Sequence, residues 1–183
     1  VTTDLKEQPE VQAEICNTIG EVYRALGQLK KAEELHREAR RLQSQTPGAR
    51  RAAVATSLTD LAFVLRDQGQ LAEAETLQRE ALALRRDLYG QQHPDVALSL
   101  NNLGVVLRSQ GKLAEAERCF RESLAMQKKL LGREHVAIST SLNNLALALR
   151  DEGKLAEAEQ FFRESLAMQK KLLGESHPAV AIT

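Results

Sequence analysis

The chain has 183 residues, of which 43% are hydrophobic, and its 25 basic and 25 acidic side chains cancel. This composition excludes a disordered chain, because disordered chains carry fewer apolar groups and more net charge. Zero net charge with mixed signs argues against nucleic acid as a partner. No apolar run approaches the roughly 20 residues that cross a bilayer, so we expect no membrane partner either.

The chain is organised by an internal repeat of 42 residues. The stretch 113–132, LAEAERCFRESLAMQKKLLG, returns at 155–174 with only two changes. A fixed period of this size predicts a stacked-repeat architecture. All ten glycines fall at three positions of this unit: Gly27, Gly69, Gly111 and Gly153; Gly48, Gly90, Gly132 and Gly174; and Gly20 and Gly104.

Apolar residues recur at helical spacing between these glycines and predict two helices in each repeat. In chain order the predicted helices cover residues 10–26, 29–45, 51–68, 71–89, 94–110, 113–131, 136–152 and 155–173, and a ninth begins within 177–183. The first glycine series should end one helix in a left-handed conformation and turn the chain. The second series should follow the basic last turn of each second helix. The third should let two helices approach closely.

The motif that runs from Leu100 to Ser123 carries a family resemblance. It reads Leu100-x2-Leu103-Gly104-x2-Leu107-x3-Gly111-x-Leu113-x2-Ala116-x3-Phe120-x2-Ser123 and resembles the tetratricopeptide repeat. The 42-residue length, the LeuAsnAsnLeu runs and the HisPro junctions are similar to the kinesin-light-chain type, which also occurs widely in bacterial proteins. We therefore expect a bacterial source. The first two repeats depart most from the family, with His36 and Gln78 where later repeats have Phe120 and Phe162.

The resemblance implies an all-α fold, an α-solenoid in which antiparallel helix pairs form a right-handed superhelix. We expect a single array over residues 1–183, with repeats at about 10–48, 51–90, 93–132 and 135–174 and the start of a fifth at 175–183. Because the sequence begins at Val1 without Met and stops soon after a repeat begins, we expect it to be a piece of a longer protein.

Histidines and cysteines do not form a pattern that indicates chemistry. His93, His135 and His177 share one repeat position, and repeats about 20 Å apart cannot share one metal ion. We interpret these three as junction-turn residues and His36 as a half-buried packing residue. Cys16 and Cys119 align with apolar positions of other repeats, and two lone thiols favour a reducing, cytoplasmic location. We expect no catalytic residue, no metal and no cofactor.

In this family the first helix of each repeat lines the concave face, and the resemblance implies that this face contacts a partner. We call the four exposed positions per repeat the inner stripe: Asn17, Thr18, Glu21 and Arg24; Thr59, Asp60, Phe63 and Arg66; Asn101, Asn102, Val105 and Arg108; and Asn143, Asn144, Leu147 and Arg150. Within it the predicted peptide-binding residues are Asn17, Arg24, Phe63, Arg66 and all eight positions of the last two repeats. Phe63, Val105 and Leu147 would suit an apolar anchor on the partner.

The amides of the inner stripe allow two interpretations. The resemblance assigns peptide contact to Asn102 and Asn144, and less directly to their neighbours Asn101 and Asn143. Paired amides can hydrogen-bond an extended backbone without reading its sequence. The same amides could instead bridge adjacent helices, and the sequence leaves both interpretations open.

One arginine in each repeat falls at the same stripe position: Arg24, Arg66, Arg108 and Arg150. A ladder of guanidinium groups could bind an acidic stretch of a partner. The alternative, which we favour, is pairing within the chain with nearby acids: Glu21, Asp60, Asp67 and Asp151.

The sequence therefore predicts a protein- or peptide-binding scaffold that is a module of a larger protein and is not an enzyme. Two alternatives stay open. The exposed end of a repeat array could stack on a second copy and form a homo-oligomer. The chain could also be the regulatory arm of a bacterial kinase or nucleotide-switch ATPase.

Overall fold

A computed structural model describes residues 8–45 and 51–174, and every regular element within these ranges is an α-helix. The helices are α1 (Pro9–Ala25), α2 (Leu29–Ser44), α3 (Arg51–Asp67), α4 (Leu71–Tyr89), α5 (Pro94–Ser109), α6 (Leu113–Leu131), α7 (Val136–Asp151) and α8 (Leu155–Leu173). The bounds predicted from the sequence differ from these by at most one residue. The predicted ninth helix, at 177–183, lies outside the described residues.

The helices form two compact units, Val1–Leu88 and Tyr89–Thr183. In the first unit α1 packs against α2, and α2 against α3. In the second unit α5 packs against α6, α6 against α7 and α7 against α8. The first helices of consecutive repeats also touch within each unit, α1 with α3 and α5 with α7. This arrangement is the predicted all-α helical-repeat fold.

Glycine closes each helical hairpin, as the sequence predicts. The backbone angle φ lies between +73° at Gly27 and +82° at Gly153, in the left-handed region that L residues rarely adopt. The amide of the next residue, Gln28, donates to the carbonyl of Tyr23 over 2.8 Å, and the amide of Gly27 donates to Arg24. This pair of hydrogen bonds is the Schellman motif, which satisfies the last carbonyls of the helix.

The third glycine position is a point of close helix approach. A Cβ atom on Gly104 would lie 2.6 Å from Cε1 of Phe120, and one on Gly20 would lie 2.7 Å from Nε2 of His36. The expectation that His36 is half-buried is wrong, because the space beside Gly20 admits its ring completely and leaves it fully buried.

Histidine side chains begin two of the first helices. Nδ1 of His93 accepts a hydrogen bond from the amide of Asp95, and Nδ1 of His135 accepts one from the amide of Ala137, each over 3.1 Å. These bonds satisfy amides that the first turn of a helix leaves free. The junction role predicted for the two residues is confirmed, and His177 lies outside the described residues. None of the helices described is long and apolar enough to span a bilayer.

Candidate functional site

A groove of about 450 Å³ lies between α1 and α3 in the first unit. Its lining includes Glu14, Asn17, Thr18 and Glu21 from α1, Gln43 from α2 and Asp60 from α3. Four of these six residues, Asn17, Thr18, Glu21 and Asp60, belong to the inner stripe. The packing of α1 on α3 therefore brings stripe residues of two successive repeats to one groove.

Asn17 joins three helices of the first unit. Its Nδ2 donates to Oγ of Ser57 on α3 over 2.6 Å. Its Oδ1 accepts from Nδ1 of His36 on α2 over 3.1 Å, which places the proton of the neutral imidazole on Nδ1. Both polar ends of this amide are occupied inside the fold.

Asn101, the equivalent residue two repeats later, makes the corresponding bridge in the second unit. Its Oδ1 accepts from Oγ of Ser141 over 3.3 Å and from Nδ2 of Asn144 over 3.2 Å. Only 5% of its surface is exposed. The helix-bridging interpretation therefore describes Asn17 and Asn101.

The other amides of the stripe differ in exposure. Asn102 is 8% exposed, whereas Asn143 and Asn144 are half-buried. Fewer stripe amides are thus accessible to a partner than the sequence indicates, because Asn17, Asn101 and Asn144 form hydrogen bonds to a neighbouring first helix. Contact of Asn102, Asn143 and Asn144 with a peptide stays a prediction.

The arginine ladder pairs with aspartates of the same chain. In the first unit Nε of Arg24 lies 2.8 Å from Oδ2 of Asp67, and Nη2 of Arg66 lies 2.6 Å from Oδ1 of the same carboxylate. The ring of Phe63 packs against both guanidinium groups, with its centroid 5.3 Å from Cζ of Arg24 and 5.2 Å from Cζ of Arg66. Both cations are thus held in place by a carboxylate and an aromatic face.

The second unit repeats this arrangement with other apolar neighbours. Nε of Arg108 lies 2.7 Å from Oδ2 of Asp151, and Nη2 of Arg150 lies 3.1 Å from Oδ1. Although burial raises the pKa of Asp151, hydrogen bonds from the two arginines hold it below its ordinary value. The pairing within the chain that we favoured from the sequence is therefore observed, with Asp67 and Asp151 as the acceptors. Val105 and Leu147, the apolar stripe positions here, are half-buried.

Asp60 has the most unusual environment on the stripe. Burial, with a further contribution from the nearby carboxylate of Glu21, raises its pKa to about 7, although Arg85 and Arg24 act in the opposite direction. It stands at the repeat position of Asn102 and Asn144. From the sequence we considered Asp60 only as a stripe residue and a possible partner for arginine; the replacement of an amide by an acid at this repeat position is the signal that distinguishes it.

The remaining reactive side chains have inert surroundings. Burial, together with the charge of Arg24, lowers the pKa of His36 to about 4, so its imidazole is neutral at pH 7. Burial and the carboxylate of Glu38 raise the pKa of the Cys16 thiol, which disfavours the reactive thiolate. Within 8–45 and 51–174 no three His, Cys, Asp or Glu side chains are placed to hold one metal ion.

Repeated helical hairpins, with a groove between α1 and α3, define a helical-repeat scaffold. The sequence profile of the tetratricopeptide repeat matches residues 12–87, 54–129, 95–171 and 137–183. The chain belongs to the tetratricopeptide repeat family. Such repeats imply a protein-interaction scaffold, and proteins built from them generally bind protein or peptide partners and lack catalytic activity of their own.

Solved structures share the fold over nearly the whole chain. A Podosopora anserina protein assigned as a kinesin light chain with nearly identical TPR-like repeats is 26% identical, with a TM-score of 0.79 over 96% of this chain and 83% of its own. BtubC (BKLC) from P. vanneervenii is 24% identical, with a TM-score of 0.78 over 93% of this chain and 68% of its own. Aspartyl phosphate phosphatase F from Bacillus subtilis is 16% identical, with a TM-score of 0.75 over 90% of this chain and 42% of its own. At this identity the similarity shows the fold alone. None of the curated protein sequences compared with the chain matches it.

Proposed function

We propose that the chain binds an extended peptide segment of a partner protein in the groove between α1 and α3 and along the inner stripe of α5 and α7. The observation that carries this proposal is the open groove between α1 and α3, which collects stripe residues of two repeats. Extended peptides need hydrogen-bonding groups for their backbone and pockets for alternate side chains. The half-buried amides Asn143 and Asn144 and the half-buried apolar side chains Val105 and Leu147 supply both kinds of group in the second unit.

Selection from a random peptide library displayed on phage tests this proposal. Peptides that bind the folded chain are labelled, and their dissociation constants are measured by fluorescence polarisation against variants of the stripe. Leu147→Asp should weaken binding about tenfold or more, because it places a charge in an apolar contact. Leu130→Asp is the matched control, since Leu130 is an exposed leucine of α6 outside the stripe.

Asn102→Ala gives a second test on the same inner stripe. The amide is expected to hydrogen-bond the peptide backbone, and its loss should weaken binding several-fold. Circular dichroism melts establish that each variant is folded. Selected peptides that bind Leu147→Asp and Asn102→Ala as tightly as the original chain would rule out the stripe as the binding surface.

Self-association is a second candidate, favoured by an apolar face on α8. Leu155 is 64% exposed and borders a cavity of about 390 Å³ that Ala158, Phe162 and Leu166 also line. In the preceding repeat, Phe120, the equivalent of Phe162, is fully buried. We propose that a second copy of the chain covers this face. Analytical ultracentrifugation over a wide concentration range tests this second candidate. Leu155→Glu should abolish any dimer that the original chain forms. An original chain that is monomeric at every concentration would exclude self-association.

A further inference from the structure

The groove between α1 and α3 carries negative charge. Glu14, Glu21 and Asp60 line it, and its lining contains no lysine, arginine or histidine. Among the described residues, Arg24 pairs with Oε2 of Glu21, over 3.3 Å, and with Asp67, and Arg85 of α4 acts on Asp60. Three carboxylates in the lining thus face two arginines, one of which is shared with Asp67, so the negative charge is incompletely balanced.

A second, independent observation is a buried acceptor in the lining that lacks a donor. Gln43 lines the groove, is only 7% exposed, and its Oε1 has no hydrogen-bond partner in the described part of the chain. Oε1 of Glu21 is likewise buried and lacks a partner; the nearest imidazole nitrogen, Nε2 of His36, is 3.7 Å away. Acceptors left unmet in this way cost free energy. Both oxygens are shielded from solvent, so they act on a cation in the groove through their electrostatic potential, and direct contact requires the side chain to rotate.

The lining distinguishes among cations. No three acidic, histidine or cysteine side chains in the described ranges converge closely enough to hold one metal ion. The acceptors instead border a groove of about 450 Å³, wide enough for an extended side chain. An ammonium or guanidinium group carries three to five N–H donors and can satisfy separated acceptors.

We propose that the groove between α1 and α3 binds a lysine or arginine side chain of the peptide partner, with Asp60 and Glu21 as its counter-charges and Gln43 as a neutral acceptor. This inference rests on the proposed peptide-binding function and adds to it the chemistry of one partner residue. Asp60 is the residue that confers the preference for a cation, because the equivalent positions in the second unit, Asn102 and Asn144, hold neutral amides.

The charge state of Asp60 gives the proposal a pH signature. Burial and the carboxylate of Glu21 raise the pKa of Asp60 to about 7, so Asp60 titrates near neutral pH. A bound cation favours the carboxylate, so affinity for a cationic peptide should rise between about pH 6 and pH 8. The other charged groups that act on Asp60 are Glu21 and Arg24 from α1 and Arg85 from α4. Nearby His36, with a pKa of about 4, stays neutral throughout this range.

The test uses blocked peptides of alanine and serine that differ only in one central residue, which is lysine, norleucine or glutamate. Binding is followed through the amide spectra of the folded chain, including the side-chain amides of Gln43 and Asn17. The lysine peptide should bind about tenfold more tightly than the norleucine peptide and should shift both amides. Asp60→Asn should remove most of this preference and its pH dependence.

Glu34→Gln is the matched control, because Glu34 is an exposed carboxylate of the same unit outside the groove lining. Asp60→Asn is expected to fold, since it removes a charge that the folded environment disfavours and installs the amide found in later repeats. Equal affinity for the lysine and norleucine peptides overturns the proposal. The proposal is also overturned if Asp60→Asn leaves the lysine preference intact, or if calcium chloride alone produces the same shifts of the amide resonances.

This result is separable from failure of the proposed function. If selected peptides bind through Leu147 and Asn102 but show no lysine preference, only the cation site is wrong. If no peptide of any kind binds to the stripe, the proposed function fails, whatever the behaviour of Asp60.

Discussion

Phe120 packs so closely over Gly104 that a Cβ atom on residue 104 would lie 2.6 Å from Cε1 of the ring. A contact of this length leaves no room for a methyl group, and Phe120 is fully buried, so its ring cannot move outward freely. The same relationship holds between His36 and Gly20. The two repeats that have alanine at this position, Ala62 and Ala146, have Gln78 and Phe162 at the ring position. Glycine at this position thus makes room for the buried rings of His36 and Phe120.

Gly104→Ala should lower the free energy of unfolding by about 1–3 kcal/mol, because it overpacks the hairpin of α5 and α6. Urea unfolding measures the change. The double variant Gly104→Ala, Phe120→Gln recreates the pairing of Ala62 with Gln78 found in the second repeat, and the loss should be smaller than the sum of the two single losses. Strict additivity would show that the ring and the methyl group do not clash.

Asn101→Ala should destabilise the second unit by about 1–3 kcal/mol. It removes the acceptor of Ser141, a buried hydroxyl, and of Nδ2 of Asn144. Asn143→Ala, at the equivalent position of the next repeat, is the control and should cost less, since that amide is half-buried. Chemical denaturation of both variants checks this. Equal losses would mean that the bridge contributes nothing specific.

His36 should make the first unit sensitive to acid. Its pKa is about 4 in the folded chain and about 6.5 when unfolded, so folding favours the neutral ring. The stabilisation is complete above about pH 6.5 and is lost as the pH falls toward 4, by up to about 3 kcal/mol. His36→Gln, which installs the residue of the second repeat, should flatten this part of the stability profile. Nuclear magnetic resonance titration of the ring checks the pKa directly, and a midpoint near 6.5 would contradict it.

Asp151→Asn should leave stability nearly unchanged but release a binding surface. The ion pairs of Asp151 with Arg108 and Arg150 are partly exposed, so their loss should cost less than about 1 kcal/mol. Because the two guanidinium groups then lose their shared carboxylate, the affinity of the chain for an acidic peptide should rise several-fold. Fluorescence polarisation measures this affinity. Asp87→Asn, which removes the partner of Arg51 in the other unit, is the control for net charge. An equal rise in both variants would show a nonspecific charge effect.

The sequence by itself determined the helices and their turns. Apolar spacing and the repeated glycines act within a few residues, so they fixed each helix end to within one residue and placed left-handed conformations at Gly27 and Gly153. The repeat also determined the family. These features depend on local backbone preferences that a short stretch of sequence carries with it.

Only the tertiary structure decided how the stripe side chains are used. Asn101 meets Ser141, and Arg108 meets Asp151, across 40 and 43 residues, so no local pattern chooses between a bridge and a binding contact. The burial of Asp60 and the unmet acceptor of Gln43 likewise arise where α1, α2 and α3 meet. The energy of a polar group depends on its burial and on which partners the packed helices bring to it, and packing alone supplies both.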